Sequence, residues 1–311
     1  MILLAMVVRD EADIIGLNLE HHLGAGVDRV VVLDNGSTDG TADILDAYVR
    51  AGVAEVTRDD PADFQLAVAL DALVRDAAAR LRPEWIAAPD ADEFLVAPGG
   101  DLRAALAAHG ADRVLRCERD NMIGSLEALE EAGWQQALVH LCTQALLPPG
   151  GHADPAVPLA LPWFAFRLPP KVIFRPQGLR GLAAGSHAVA LDPAAEPAPT
   201  AIRMRHFPMR SAAEFLRSVR RYAAILSPDL PGRPQPSGKY RRWRAMLAQG
   251  APESAVLAEA LPDAAALAKG LADGGYLAAG AGIDWSRLAA SAASRHGGPL
   301  LRSTNPQVCD H

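Results

Sequence analysis

The sequence has few cysteines and no excess of basic residues. Of its 311 residues only three are cysteine, and no CxxC spacing occurs, so neither a disulfide framework nor a zinc site is predicted. The formal net charge is -7, which argues against a protein that wraps nucleic acid, because neutralising phosphates requires a basic face. These absences favour a protein of the reducing cytoplasm that does not bind nucleic acid.

Long apolar runs and the common nucleotide-binding motifs are also missing. The opening MILLAMVV is short, has no basic region before it and is followed at once by Arg9, Asp10 and Glu11, so it is typical of a buried strand rather than of a signal peptide. No later run is long enough to span a bilayer. Neither GxGxxG nor GxxxxGK[ST] occurs, which excludes the usual dinucleotide-binding loop and the P-loop.

What the first third of the chain does contain is an alternation of strand and helix patterns. Continuous apolar runs predict buried strands, and apolar residues at helical spacing predict helices between them. This order predicts an α/β fold with a mainly parallel sheet and right-handed crossovers. The predicted strands cover 2–8, 30–33, 54–57 and 85–88, and the predicted helices cover 13–23, a stretch from about Thr41, and 65–80.

The most specific chemical pattern is Asp90-Ala91-Asp92-Glu93, directly after the fourth predicted strand. Ligands of parallel α/β sheets bind beyond the carboxyl ends of the strands. Two carboxylates at i and i+2 can converge on one hard cation, for which Mg²⁺ or Mn²⁺ is the natural match. A plain turn that caps a following element is the structural alternative for the same four residues.

A second polar loop, Asp34 to Thr41 (DNGSTDGT), follows the second predicted strand. Asn-Gly favours a hairpin turn, but a helix pattern follows instead of a returning strand, which indicates a strand-to-helix loop facing the ligand edge. Asp34 is placed to accept from a base or a ribose hydroxyl. Ser37 and Thr38 are expected to cap the helix, and contact of Ser37 with the ligand is the alternative.

The two patterns together resemble a known family. MVVRDEADIIGLNLEHHLGAGVDRVVVLDNGSTDGT, followed by EWIAAPDADEFL, resembles the bacterial glycosyltransferase family 2-like group, which is related to the family 92 glycosyltransferases. The resemblance covers about residues 1 to 100. It implies a GT-A fold, a UDP- or GDP-sugar donor, assistance by Mg²⁺ or Mn²⁺, and inversion at the anomeric carbon. Asp10 departs conservatively from the pattern, which often has Asn there.

The resemblance also implies roles for individual residues. His206, in RHFPMRS, is similar to the late histidine that completes the metal shell in several GT-A enzymes, whereas an interior hydrogen-bonded histidine is the alternative. His21 and His22 are expected to be structural. The predicted metal ligands are Asp90, Asp92 and His206, and the predicted nucleotide-sugar contacts are Val8, Arg9, Glu11, Asp34, Asn35, Ser37, Asp90, Ala91, Lys171 and Arg205.

The remaining site predictions combine the inversion that the resemblance implies with the chemistry of the residues. An inverting transferase needs a carboxylate base for the acceptor hydroxyl. The usual Glu-Asp pair is not visible, and Asp120 is the candidate. Lys171 and Arg205 are expected to hold diphosphate oxygens. Glu93 and His187 are predicted to contact the acceptor or the diphosphate, and the acceptor itself is a glycan or a small molecule.

The predicted organisation is a catalytic domain over 1–225 followed by a helical appendage over 226–311 that ends in a frayed tail. Within the first part, 1–115 would bind the nucleotide sugar, and 116–225 would complete the metal and acceptor site. Three alternatives remain: a sugar nucleotidyltransferase, another metal-dependent phosphoryl-transfer enzyme, and an inactive carbohydrate-binding relative. A nucleotidyltransferase normally has a glycine-rich loop after its first strand, and 7–11 contains no glycine.

Overall fold

A computed structural model describes residues 1–60, 64–143, 154–225 and 238–296. The stretch 147–162 is rich in Pro and Gly, which predicts a loop, and it lies partly outside these residues, whereas the predicted frayed tail lies wholly outside them. The strands are β1 (Ile2–Val8), β2 (Arg29–Asp34), β3 (Ala54–Arg58), β4 (Trp85–Ala87), β5 (Glu93–Val96), β6 (Val114–Asn121), β7 (His140–Cys142), β8 (Lys171–Phe174), β9 (Leu179–Leu182), β10 (Val189–Leu191), β11 (Ala198–His206) and β12 (Tyr276–Ala278).

Helices connect these strands and end the described chain. They are α1 (Ile15–Gly24), α2 (Thr41–Arg50), α3 (Leu66–Leu81), α4 (Leu102–Ala107), α5 (Leu126–Ala132), α6 (Trp134–Ala137), α7 (Ala212–Ile225), α8 (Gly238–Ala248), α9 (Glu253–Ala260), α10 (Ala264–Ala272) and α11 (Trp285–His296). No helix in the part of the chain that the structure describes has the length and apolar character needed to span a bilayer.

The main sheet has eight strands in the order β3-β2-β1-β4-β8-β6-β11-β5. The strands β3, β2, β1 and β4 are parallel to their neighbours, whereas β8 runs antiparallel to both β4 and β6. Helices flank the sheet, and α11 closes the described chain. The predicted α/β class is therefore confirmed, and the sheet is mixed.

The first strands form because their side chains are almost entirely apolar and are covered on both faces. Leu3, Ala5 and Val31 belong to one buried cluster with Val74 of α3 and Ile86 of β4. Such continuous burial is typical of central parallel strands, which read as apolar runs without alternation. Burial in this core thus holds β1, β2 and β4 next to one another.

The chain divides into two compact units that are not contiguous in sequence. Unit 1 contains Met1–Glu118, Pro170–Arg203 and the described residues from Ile283 onward, and unit 2 contains Arg119–Pro169 and Met204–Gly282. The predicted boundary at 225/226 does not match this division. Instead of belonging to an appendage, α11 packs on α1 within unit 1, where Arg295 and Ser291 bond the buried carboxylate of Glu20.

Candidate active site

Three polar loops leave the same edge of the sheet in unit 1. In the strand order β2-β1-β4, β1 lies between the other two, and Val8 pairs with Asp34 at the ends of β1 and β2. Since the three strands are parallel, the segments after Val8, Asp34 and Ala87 all begin at the carboxyl edge. The structure therefore brings together the predicted nucleotide contacts that follow these three strands and the acidic turn, residues 90–93.

The loop after β1 is hydrogen-bonded to the loop after β2. The Asp10 amide donates to Ser37 Oγ at 3.0 Å, and the Asp10 carboxylate accepts from the Thr38 amide at 2.8 Å. The Glu11 amide donates to Thr41 Oγ1 at 2.8 Å. Asp10 has a φ of 55°, a left-handed conformation that Asp tolerates better than most residues. These bonds make one connected surface of the two loops.

Ser37 and Thr38 do not cap α2, so the expected capping role is wrong. The N-cap residue of α2 is Gly40, at a φ of 102°, which has no side chain to offer. The Thr41 amide is bonded instead by the Asp39 carboxylate at 3.0 Å. The hydroxyl of Ser37 is used to orient the β1 loop.

Two buried polar atoms at this edge have no hydrogen-bond partner among the described residues. They are Oδ1 of Asn35 and Nε of Arg9. Buried polar groups are nearly always paired in native proteins, so an unpaired acceptor and an unpaired donor in these loops suit a ligand that offers both. Neighbouring groups are fixed: Asp34, only 2 % exposed, accepts from the Ser37 amide at 3.0 Å, and Arg9 bonds Asp60 at 2.9 Å.

The acidic turn closes on itself. The Glu93 amide donates to the Asp90 carbonyl at 3.0 Å, and the Asp90 amide donates to the Glu93 carboxylate at 2.8 Å. The buried amide of Asn18, on α1, donates to the carbonyls of Ala91 at 2.9 Å and Glu93 at 2.8 Å. These bonds fix the backbone that carries Asp90 and Asp92.

The histidine pair of α1 extends this support to β5. His22 Nε2 accepts from the Leu95 amide at 3.0 Å, so its Nδ1 carries the proton and donates to Asn18. His21 Nε2 donates to the Leu95 carbonyl at 2.8 Å. Burial lowers the pKa of both imidazoles, that of His22 well below its usual value. Both histidines thus have structural roles.

The buried side chain of Lys171 contacts the acidic turn. Its ammonium is 2.9 Å from Asp90 Oδ2 and 2.5 Å from Glu93 Oε2. The Lys171 side chain is 1 % exposed and that of Glu93 0 %, whereas that of Asp90 is 50 % exposed. Neither Lys171 nor Glu93 therefore presents surface to a ligand in this structure, which differs from the expected direct contacts. Both support Asp90.

His187 belongs to the same unit and is exposed. Its Nδ1 donates to the carbonyl of Pro170 at 2.8 Å, and Pro170 precedes Lys171 in the chain. The backbone around Lys171 thus also orients this histidine. The contact of His187 with acceptor or diphosphate stays a prediction.

The other predicted residues lie in unit 2, where the structure joins them in pairs. Arg205 bonds the Asp120 carboxylate at 2.9 Å, and His206 Nδ1 donates to Asn121 Oδ1 at 2.5 Å. Asp120 and His206 are both buried. Their predicted roles as base and metal ligand stay predictions.

Within the described ranges, no group of three or more His, Cys, Asp or Glu residues is arranged as a metal site. The acidic turn contributes two carboxylates, Asp90 and Asp92, and their role as metal ligands stays a prediction.

Asn18 was missed by sequence reasoning. The available signal was an amide residue on the apolar stripe of α1, between Leu17 and Leu19. Asp60 was missed because it follows β3, and the sequence pattern does not show that it bonds Arg9.

Comparison with known proteins leaves the family open. The sequence matches no protein-family model and no curated protein. The structure of S. aureus TarS 1-349 is similar at a TM-score of 0.33 and 14% identity, over 56% of this chain and 46% of that one, so this chain spans less than half of it. TarS 1-349 in complex with UDP-GlcNAc gives a TM-score of 0.34 and 16% identity over 79% and 72%.

A putative glucose-1-phosphate thymidylyltransferase from Bacillus anthracis gives a TM-score of 0.29 and 6% identity over 40% of this chain and 59% of that one. At TM-scores this low, these likenesses carry no argument about function, which rests on the residues themselves.

Proposed function

We propose that the chain is a metal-dependent glycosyltransferase of the GT-A type that transfers a sugar from a UDP- or GDP-sugar to an acceptor hydroxyl with inversion. The observation that carries the proposal is the arrangement in unit 1: the loops after β1, β2 and β4 share one sheet edge. These loops contain the sequence patterns that resemble the family 2-like glycosyltransferases and their family 92 relatives.

The nucleotide would bind to the connected loops after β1 and β2. The unpaired Nε of Arg9 and Oδ1 of Asn35 offer one donor and one acceptor, and every nucleobase presents both on its pairing edge. Asp34 orients the loop by bonding the Ser37 amide. A ligand bound here would satisfy groups that otherwise remain buried without a partner, which is the usual source of discrimination at polar sites.

The acidic turn fits a hard divalent cation. The Asp90 side chain is half-exposed, and Asp92 follows it in the same fixed turn. Mg²⁺ commonly takes one or two protein carboxylates and completes its shell with water and phosphate oxygens, so the described residues suffice without a third side chain. When bound, the cation would neutralise the diphosphate leaving group. Asn18, Glu93 and Lys171 would keep Asp90 in place.

The acceptor hydroxyl requires a base, and Asp120 is the proposed residue. Its carboxylate is oriented by Arg205. Arg205 would thus fix the orientation of the Asp120 carboxylate.

The test has two measurements. Thermal unfolding with UDP or GDP should show stabilisation by the nucleotide that increases when Mn²⁺ is added, because a ligand bound only by the folded state raises stability. A panel of nucleotide sugars should then show slow, Mn²⁺-dependent release of nucleoside diphosphate from one donor. Release of pyrophosphate from a nucleoside triphosphate and a sugar 1-phosphate would identify a nucleotidyltransferase instead. Absence of any nucleotide effect would overturn the proposal.

A further inference from the structure

Lys171 introduces a positive charge at the place where the proposed function needs a cation. Strand β8 is antiparallel to β4, and Ile173 pairs with Ala87. Lys171 comes two residues before Ile173, so the pairing places it just beyond the carboxyl end of β4, under the acidic turn. A lysine that is 1 % exposed is uncommon, since lysine is almost never fully buried unless it is paired.

The ammonium interacts with two carboxylates in different ways. Glu93 is fully buried and lies 2.5 Å from it, and an unpaired charge there would be very costly. This pair is therefore a fixed part of the fold. Asp90 is half-exposed at 2.9 Å, so it can bind the ammonium on one oxygen while facing solvent. A divalent cation at Asp90 would have to share this carboxylate with the ammonium.

From this arrangement, and resting on the proposed function, we propose that Lys171 is a positioning residue that makes cation binding at Asp90 and Asp92 depend on the nucleotide. The ammonium orients Asp90 and repels a divalent cation, so the empty protein binds Mn²⁺ weakly. The negative charge of a diphosphate offsets that repulsion. Cation and nucleotide would then bind together rather than independently.

The test compares a variant that keeps the Lys171 ammonium but loses the Glu93 charge with double variants in which both buried charges are removed. Glu93→Gln keeps an oxygen for the Asp90 amide and leaves Lys171 with Asp90, so it should bind Mn²⁺ more weakly than the parent. Adding Lys171→Met to that variant removes one positive charge next to Asp90, and Mn²⁺ affinity should rise at least about tenfold. A merely structural lysine gives the opposite sign, because losing its bond to Asp90 would weaken the site.

Mn²⁺ alone is the probe, titrated by paramagnetic resonance, and thermal unfolding shows which variants fold. If methionine packs badly, Glu93→Gln with Lys171→Gln keeps an N–H for Asp90 and removes the same charge. Arg80→Met is the matched control: it removes one exposed charge at the end of α3, before β4, and should leave Mn²⁺ affinity unchanged.

The outcomes separate this inference from the proposed function. Equal or weaker Mn²⁺ binding by both double variants, compared with Glu93→Gln, overturns the role of Lys171, and a parent that binds Mn²⁺ with UDP or GDP keeps its proposed function. A parent that binds no Mn²⁺ with either nucleotide overturns the metal role and this inference together.

Discussion

The side-chain amide of Asn18 donates to the backbone carbonyl of Glu93 at 2.8 Å, although the two residues are 75 positions apart in the chain. Asn18 is fully buried on α1, and the same amide nitrogen also donates to the carbonyl of Ala91. A helix side chain thus supplies the hydrogen bonds that a regular strand would have supplied, which allows the chain to turn at Asp90 before β5 begins.

Replacing this amide should destabilise the fold. Asn18→Leu has a similar volume but removes the bonds to both carbonyls, at about 1–3 kcal/mol each, so a loss of about 2–6 kcal/mol is expected. Urea unfolding measures it. The control is Val49→Ala on the exposed part of α2, which should change the free energy of unfolding by no more than about 0.5 kcal/mol. A loss as small as that of the control would mean that water replaces the amide.

The buried imidazole of His22 predicts a pH dependence of stability. Burial holds its pKa well below 6.5 in the folded protein, so below about pH 6.5 the unfolded chain binds a proton that the folded chain does not. The free energy of unfolding contributed by His22 is therefore complete above that pH and falls as the pH is lowered.

The expected slope is up to about 1.4 kcal/mol per pH unit for this one histidine. His22→Gln should make the dependence shallower by that amount between about pH 6.5 and 5, since the carboxylates contribute equally to both proteins. Denaturant unfolding at several pH values provides the comparison. Equal slopes would show that His22 is protonated in the folded state.

The local elements could be predicted from the sequence because their signals are local. The strands β1, β2, β3 and β4 and helices α1 to α3 lie within one or two residues of the predicted ranges, since apolar runs and helical spacing act over short distances. The strand β12 (Tyr276–Ala278) was hidden in an alanine-rich stretch, where helix propensity was the only visible pattern. It forms because it pairs with β7.

Contacts between distant segments could not be predicted in this way. Lys171 was expected to face a phosphate, but the antiparallel pairing of β8 with β4 places it under Asp90. The pairing partner of a strand depends on the whole sheet, and no local pattern states it. For the same reason α11 was assigned to an appendage although it packs on α1.

The nucleotide loop is tested by Asp34→Ala. The change removes the acceptor of the Ser37 amide and loosens the loop that holds Asn35, so binding of UDP or GDP should weaken about tenfold in EDTA, the loss expected for one hydrogen bond to a charged group. Asp46→Ala is the matched control, because Arg58 pairs with both carboxylates, with Asp34 at 3.9 Å and with Asp46 at 2.6 Å. Calorimetry should show a loss only for Asp34→Ala, and equal affinities would limit Asp34 to a structural role.

The proposed base is tested by Asp120→Asn. Asparagine keeps the shape and can still accept from Arg205, but it cannot take a proton, so turnover with an acceptor should fall by about 10²–10⁴-fold. Nucleotide affinity should stay unchanged, which serves as the internal control. A variant that retains parental turnover would show that another group is the base.

The cation site is tested by Asp92→Asn. Because the turn is fixed by Asn18 and by the reciprocal bonds of Asp90 and Glu93, the amide should preserve the backbone while removing one hard ligand. Mn²⁺-dependent binding of UDP or GDP should then be lost, with the melting temperature in the absence of ligands little changed. Asp101→Asn, at the N-cap of α4, is the control for a carboxylate outside the turn and should keep parental binding. Calorimetry with Mn²⁺ measures the affinity for UDP or GDP. Parental affinity in the Asp92 variant would show that Asp92 is not a ligand of the cation, and the proposal of a metal bound by the turn would then be wrong.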